Sequence, residues 1–536
     1  MRNVIYSDMK KLLSVTLPIL VAQLSTMGIN FINTTMAGHA GADDLAGVSV
    51  GSGIFFPFEA AAIGLLMAGT PIIAQLLGKK DRQSVPYIVR TGLYIAMAIS
   101  LLFVLGYILF IDRVLGGMGL EDGVRHIAKY YILAMVGAVV FISLIIPFRA
   151  LTDTVGSTAT SMKLFLLALP VNAVLNYFLI FGHWGVPELG GIGAGISAAI
   201  TYFVILLMFL FIIRNDDRLM GKEIFSSWRT RISDWKEYMN VGIPSGLSVF
   251  MEMGLFGAII VFMAKFGTET LAAYQIADNF ANMAYMIPLS CSMALTILVA
   301  RAAGAKDQEM ARRYAKAGIL LSVGFSTIEV LLTVVLRKYI GLIYTDDHAV
   351  IAIASQFLLF ASAFQFFDSV AGPAQGILRG YKDTRMPFVF LLIAYWGACL
   401  PISLFLDHFM ALESVSYWIG LDVGVGVAAV LMVIRLFVLE NGFAVSRDVS
   451  GEISVSPEAY AESGMLLTDA EAAYLMRENM AWFRGAQPCT VLPYAGSLFR
   501  IENIMLPQKR ILEIGRHMLT QLHLNVIGHA VRAYVP

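Results

Sequence analysis

The sequence predicts an all-α polytopic membrane protein: twelve transmembrane helices in two parallel-repeat six-helix lobes, followed by a non-membrane C-terminal extension. Three observations carry this. Charged residues make up only 14% of the 536 positions, where a soluble protein carries about 25%, and mean hydropathy is +0.73. Apolar runs long enough to cross a bilayer, for which about 20 residues suffice, recur twelve times. The second half of the chain also repeats landmarks of the first.

The apolar runs fall near Leu12–Ala37, Leu45–Leu77, Tyr87–Leu115, Tyr131–Leu151, Leu164–Phe181 and Ile192–Ile213. Six more fall near Val241–Phe266, Leu271–Ala302, Ala317–Ile343, Val350–Leu378, Phe388–Leu406 and Val415–Leu439. The first follows Arg2, Lys10 and Lys11 without a small-residue cleavage site, so it reads as an uncleaved helix rather than a signal peptide. The expected organisation is an N-lobe over residues 1–213 and an inter-lobe loop over 214–240. A C-lobe over 241–440 and an extension over 441–536 follow. In that extension charge returns; Leu467–Phe483 and Gln508–Leu522 are candidate amphipathic helices.

The repeat is visible in turns and charges. GADDLAG at Gly41 pairs with GTETLAA at Gly267, and TPIIAQLLGKKD at Thr70 with TILVARAAGAKD at Thr296, both at an offset of 226, which Pro18 and Pro244 share. RALTDT at Arg149 pairs with RGYKDT at Arg379 at a slightly larger offset. Six helices per half is an even number, so both halves enter from the same side as parallel repeats, with substrate expected between them near the midplane. Lys and Arg concentrate in alternate loops, at Lys79–Lys80–Arg82, Arg214–Lys236, Arg301–Lys316 and Arg379–Arg385. By the positive-inside rule these loops and both termini are cytoplasmic. Balanced charge, 38 basic against 38 acidic residues, argues against a nucleic-acid partner. Three cysteines without CxxC spacing give neither a disulfide framework nor a zinc site. No catalytic triad, metal-ligand cluster or nucleotide motif appears: Gly190, Gly191, Gly193 and Gly195 match no phosphate-loop fingerprint. The expectation is a non-enzyme with no cofactor.

Two acids at membrane depth stand out. Glu252 lies in the middle of the seventh run and Asp368 about halfway along the tenth. An intramembrane carboxylate is costly and marks an ion or substrate path unless a neighbouring helix hydrogen-bonds it. If the two share a cavity they repel, and the pair is suited to hold a proton or a monovalent cation. In the first half the polar candidates are amides, Asn33 on helix one and Asn172 and Asn176 on helix five, either as ligand contacts or as glue between helices. The many Met and Phe residues pack the core and face lipid, and some suit an adaptable pocket for flat apolar cations.

Between about Ser14 and Leu439 the chain resembles the multidrug and toxic compound extrusion (MATE) transporters, in their NorM-like branch. The resemblance rests on INTTMAGHAGADDLAG at Ile32, the TPIIAQLLGKKD loop, NAVLNYFLIFGHWGVPELGGIGAGISAA at Asn172, the Pro244–Glu252 helix and FDSVAGPAQGILRGYKDTRMP at Phe367. It implies two lobes that rock between inward and outward openings in the bacterial cytoplasmic (inner) membrane. It implies a monomeric, secondary-active antiporter that exports small cationic amphipathic drugs and dyes in exchange for Na+ or H+ and so confers antibiotic resistance. Glu252 and Asp368 match the family's coupling-cation residues, with Na+ held by both carboxylates, and Asn279 falls where the family has a polar residue on helix eight. Asn33, Asn172, Asn176 and Asn279 are the expected secondary polar contacts. The chain departs from the family at Asn33, where Asp is usual, at Leu298-Val299-Ala300, where Arg-Val-Gly is frequent, and in the tail beyond Glu440. Asn cannot exchange a proton in this range, which places coupling in the C-lobe. Three rivals remain at this stage: a flippase for lipid-linked sugars, which calls for basic cavity residues; a membrane-embedded enzyme or assembly factor; and an ion channel.

Overall fold

The structure is a computed structural model and describes residues 2–183, 185, 187–410, 412–448, 490–492 and 498–500. Twelve helices among the described residues are long and apolar enough to cross a membrane. They are α1 (Ser7–Ala40), α2 (Ala42–Gly78), α3 (Val85–Gly117), α4 (Asp122–Gly156), α5 (Thr158–Phe181) and α6 (Gly190–Asn215). The second set is α7 (Ile232–Phe266), α8 (Thr268–Gly304), α9 (Gln308–Tyr344), α10 (His348–Gly380), α11 (Arg385–Met410) and α12 (Val415–Glu440). Each expected span is present. Three helices start well before their apolar run, α4 at Asp122, α7 at Ile232 and α9 at Gln308, because charged amphipathic turns prolong them beyond the hydrocarbon layer. In α7 this lead-in is anchored by Trp235 stacked on Tyr94 and by the Tyr238 hydroxyl, which donates to the Leu66 carbonyl at 2.6 Å. The expected inter-lobe loop therefore contributes its last residues to a helix.

The chain separates into two compact units, Met1–Leu436 and Phe437–Pro536. In the second, Thr490–Leu492 pairs antiparallel with Leu498–Arg500, Val491 opposite Phe499. The candidate helices at 467–483 and 508–522 lie outside the described residues.

Within the first unit, α1 packs on α5, α4 on α6, α2 and α3, and α5 on α6, while α10 packs on α8 and α9. Between the two sets, α2 meets α7 and α1 meets α8, and the last turns of α2 meet α8. These cross-contacts are exchanged by the operation that maps α1 onto α7 and α2 onto α8, as the repeat requires. The equivalence extends to the turns. Lys80 and Lys306 both have positive φ, 63° and 59°. The following aspartates both accept backbone hydrogen bonds, Asp81 from the amide of Ser84 at 3.1 Å in the turn before α3, and Asp307 from that of Met310 at 2.9 Å, where it caps α9.

Contacts across the two sets gather toward the end of the bundle that carries the basic loops. There the Gln75 amide donates to the Gly380 carbonyl at 2.9 Å, Arg313 pairs with Asp8 at 2.9 Å, and the Lys11 ammonium lies over the Tyr314 ring. Close glycine packing joins α2 to α7, where a Cβ on Gly246 would stand 2.7 Å from the Ala61 carbonyl oxygen. Small residues at such crossings let backbones approach where lipid offers no hydrophobic drive.

Two helices change pitch. The end of α4 (Thr152–Gly156) and the middle of α11 (Leu392–Cys399) are π-helical. In α11 the wide turn stops just before Pro401, which lacks the amide hydrogen an α-turn would need there.

Candidate functional site

A cleft opens inside the second set of helices. From α7 it takes Glu252, Met253 and Phe256, and from α8 Asp278, Ala281, Asn282 and Tyr285. Phe364, Gln365 and Asp368 come from α10, with Trp418 and Leu421 from α12. Helical spacing explains the set: Glu252 and Phe256, or Asp278, Asn282 and Tyr285, recur every three or four residues and so share one face of their helix.

Glu252 and Asp368, the two acids singled out in sequence, thus line the same cleft. They are close enough for the charge of one to act on the other, and Tyr285 and Tyr395 feel both. Asp368 is 5% exposed, and its Oδ2 is buried without a hydrogen-bond partner. A buried acceptor left open is a place where a bound cation or proton gains most. The surrounding polar groups are held in place. The Gln365 amide donates to the Ala281 carbonyl at 2.6 Å, and the Asn282 amide donates to Asp278 Oδ2 at 3.1 Å. Aromatic rings floor the cleft, Phe256 edge-on to Phe364 at 6.1 Å, with Trp418 packed between Tyr274 and Phe357.

Three contributors were not read from sequence. Asp278 puts a third carboxylate in the cleft; it is an acid at membrane depth in QIADNFANMAYMIP, overlooked beside the neighbouring amide. Asn279 itself is exposed, donates to the Gln275 carbonyl at 2.8 Å and does not line the cleft. One residue along a helix turns the side chain by about 100°, which separates the two. The guanidinium of Arg379, near the end of α10, lies within electrostatic reach of Glu252 and Tyr285 although it does not line the cleft. The π-helical stretch of α11 buries Tyr395 within reach of both acids.

The amides of the first set form a separate joint. Asn176 Nδ2 donates to Asn33 Oδ1 at 2.7 Å and to Asn172 Oδ1 at 3.1 Å, Asn172 donates to Thr201 Oγ1 at 3.3 Å, and the Ser197 hydroxyl donates to Asn176 Oδ1. All three amides are buried. Both donors of Asn176 are used, so this network ties α1, α5 and α6 together, and a ligand there would have to displace an existing bond. Among the described residues no group of three His, Cys, Asp or Glu is placed to hold a metal ion.

The MatE family model matches residues 18–178 and again 244–405, one match in each repeat, beginning at the equivalent prolines Pro18 and Pro244. The chain is 39% identical over 442 residues to a protein of Bacillus anthracis called "Probable multidrug resistance protein NorM", which covers 82% of this chain and 98% of that one. It is 37% identical over 441 residues to the protein of that name from Bacillus subtilis (strain 168), covering 81% and 96%. Among solved structures, the eukaryotic MATE transporter AtDTX14 superposes with a TM-score of 0.72 at 19% identity, over 81% of this chain and 96% of that one. The Vibrio cholerae MATE transporter VcmN in its bent form gives 0.71 at 19% identity, over 83% and 99%. The structural likenesses concern the fold; with the two family matches and the NorM relatives beside them, the chain belongs to the MATE family of membrane transporters, in its NorM-like branch.

Proposed function

We propose that this transporter is a secondary-active multidrug efflux antiporter of the bacterial cytoplasmic membrane, exporting cationic amphipathic compounds in exchange for Na+ or H+. The observation that carries the reading is the pair Glu252 and Asp368 in one apolar, aromatic-lined cleft. Two like charges in such a cleft favour whatever neutralises them, so a coupling cation and a cationic drug compete for the same acids. Competition for one site is what converts an inward ion gradient into outward drug movement. The NorM relatives are named for multidrug resistance, which supports the same substrate class. The basic loops favour a cytoplasmic placement for the N-terminus and for the end of α12. With that orientation the lobe contacts at Gln75, Asp8 and Lys11 close the cytoplasmic end, the arrangement of an outward-facing stage. We read the working unit as a single chain, with neither a catalytic step nor a bound cofactor in the cycle.

The lipid-linked sugar flippase is disfavoured by the cleft's chemistry, since a diphosphate would meet the three carboxylates of Glu252, Asp278 and Asp368. The deciding experiment is ethidium efflux from loaded proteoliposomes under an imposed Na+ or pH gradient, with wild type and Glu252→Gln. Efflux driven by one gradient and lost in the variant is the expected result and identifies the ion. Efflux that ignores both gradients, or survives the substitution, removes Glu252 from the mechanism and returns the flippase to consideration.

A further inference from the structure

The first lobe contains a carboxylate that the cleft does not use. Glu59 lies in the middle of α2, in the run FFPFEAAAIG, and is 8% exposed. It belongs to a stripe of buried residues, Val48, Phe55, Ala62 and Leu66, so it faces the lobe interior and not lipid. Among the described residues it has neither an ion-pair partner nor a hydrogen-bond partner. The groups that share its electrostatic environment are two buried phenols, Tyr131 on α4 and Tyr202 on α6. The other packed helices bring apolar neighbours to this part of α2: Phe103 of α3 against Phe55, and Val249 and Phe250 of α7 against Gly64 and Phe58. From α1, α3 and α7 no charged group acts on it.

The repeat gives the position meaning. At the offset of 226 that relates α2 to α8, Glu59 corresponds to Tyr285, which lines the C-lobe cleft beside Glu252 and Asp368. Each lobe therefore joins carboxyl and phenol groups at the same level of its second helix, with the roles exchanged: the acid is on α2 in one and the phenol on α8 in the other. Ser52, two turns before Glu59 on α2, lies within hydrogen-bond reach of the Tyr131 hydroxyl, which continues the polar line toward the α1–α2 end of the lobe. Tyr202 directly follows Thr201, the last member of the amide joint.

We infer that Glu59, beside the buried phenols Tyr131 and Tyr202 whose hydroxyls can turn to its carboxylate, is a proton-binding site of the first lobe, distinct from the Glu252–Asp368 cleft. The ligand is a proton rather than a metal ion, because one carboxyl and two phenols supply fewer oxygens than the six or more that a hard cation gathers. The step is simple: the carboxylate binds one solvent-derived proton, delivered as hydronium, and becomes a neutral acid whose O–H can donate to a phenol oxygen. Neutralisation removes the cost of an unpaired charge inside the lobe. The inference deepens the antiporter reading and rests on it for the proton's part in transport.

The test is pH-jump infrared difference spectroscopy on the purified full-length transporter in lipid, read in the carboxylic C=O region. A band is expected that titrates between about pH 5 and pH 9, disappears in Glu59→Gln and persists in Glu252→Gln/Asp368→Asn. Tyr202→Phe, which removes one donor from the ionised form, is expected to move its midpoint up by about one to two pH units. A wild-type spectrum whose titrating bands all survive Glu59→Gln, or whose midpoint ignores Tyr202→Phe and Tyr131→Phe alike, overturns the site. If the band behaves as expected while efflux ignores both gradients, the proton site stands and the antiporter reading fails. If efflux is gradient-driven but no band depends on Glu59, the reverse holds.

Discussion

Gly78 and Gly304 occupy equivalent positions at the ends of α2 and α8, and each packs into the backbone of the other's helix. A Cβ on Gly78 would stand 2.1 Å from the Arg301 carbonyl oxygen and 2.8 Å from the Ala305 nitrogen, and one on Gly304 would stand 2.1 Å from the Gln75 carbonyl oxygen. The lobes meet at this crossing, so the repeat's own symmetry element runs through the point where the basic-loop end is closed.

Alanine at either glycine should therefore open that end. The backbone atoms facing the new Cβ cannot swing aside as a side chain would, and overpacking of this kind costs about 1–3 kcal/mol. The check is a spin-label distance between cysteines placed at the exposed residues Lys80 and Lys306 in the same turns. Gly304→Ala should shift the distribution to longer separations, and an unchanged distribution would show that the crossing is not a closure.

Within the cleft, the three acids should separate in their effects. Glu252→Gln and Asp368→Asn should each abolish gradient-driven efflux, and the double variant should be no worse than either single one, since both remove the same competition. Asp278→Asn should leave coupling intact and weaken binding of a cationic dye by about three- to tenfold, the loss of roughly 1 kcal/mol of attraction at a partly solvated charge. Dye titration followed by fluorescence anisotropy separates binding from coupling.

The amide joint makes a paired prediction. Asn33 is the acceptor of its bond, whereas Asn176 supplies both donors of its own. Asn33→Asp should fold and remain close to wild type in thermal stability. Asn176→Asp replaces two donors by acceptors facing acceptors, and should lower Tm by several degrees, with about 1–3 kcal/mol lost for each buried group left unmatched. Differential scanning fluorimetry on the detergent-purified proteins compares the two.

Arg149 is the first lobe's counterpart of Arg379 and is used differently. It pairs with Asp153 at 3.4 Å, donates to Gln23 at 3.0 Å and lies over the Phe165 ring, while Ser161 also donates to Asp153. Arg149→Ala should be strongly destabilising, by about 3–5 kcal/mol, because it leaves Asp153 buried and unpaired. Arg149→Met combined with Asp153→Leu should recover much of the loss. Thermal melts of the single and double variants decide, and equal Tm values for both would mean that the pair carries no net structural role.

Much of this protein is legible along the line of its sequence. Twelve spans, the alternation of basic loops and the repeat with Pro18 and Pro244 in register all follow from hydrophobic length, charge position and turn residues, which are one-dimensional properties. Glu252 and Asp368 are legible too, because a carboxylate inside an apolar run is costly wherever the helix points. What the tertiary structure decided is which way each helix faces. In a bilayer both the lipid side and the core side of a helix are apolar, so periodicity does not reveal the inner face. Thus Asp278 and not Asn279 enters the cleft, the three amides bond one another, the charge of Arg379 at the end of α10 acts on Glu252, and Glu59 turns into the first lobe toward two phenols. Each outcome depends on rotation about a helix axis, and that rotation is set by packing between helices, glycine against backbone, rather than by any residue acting alone.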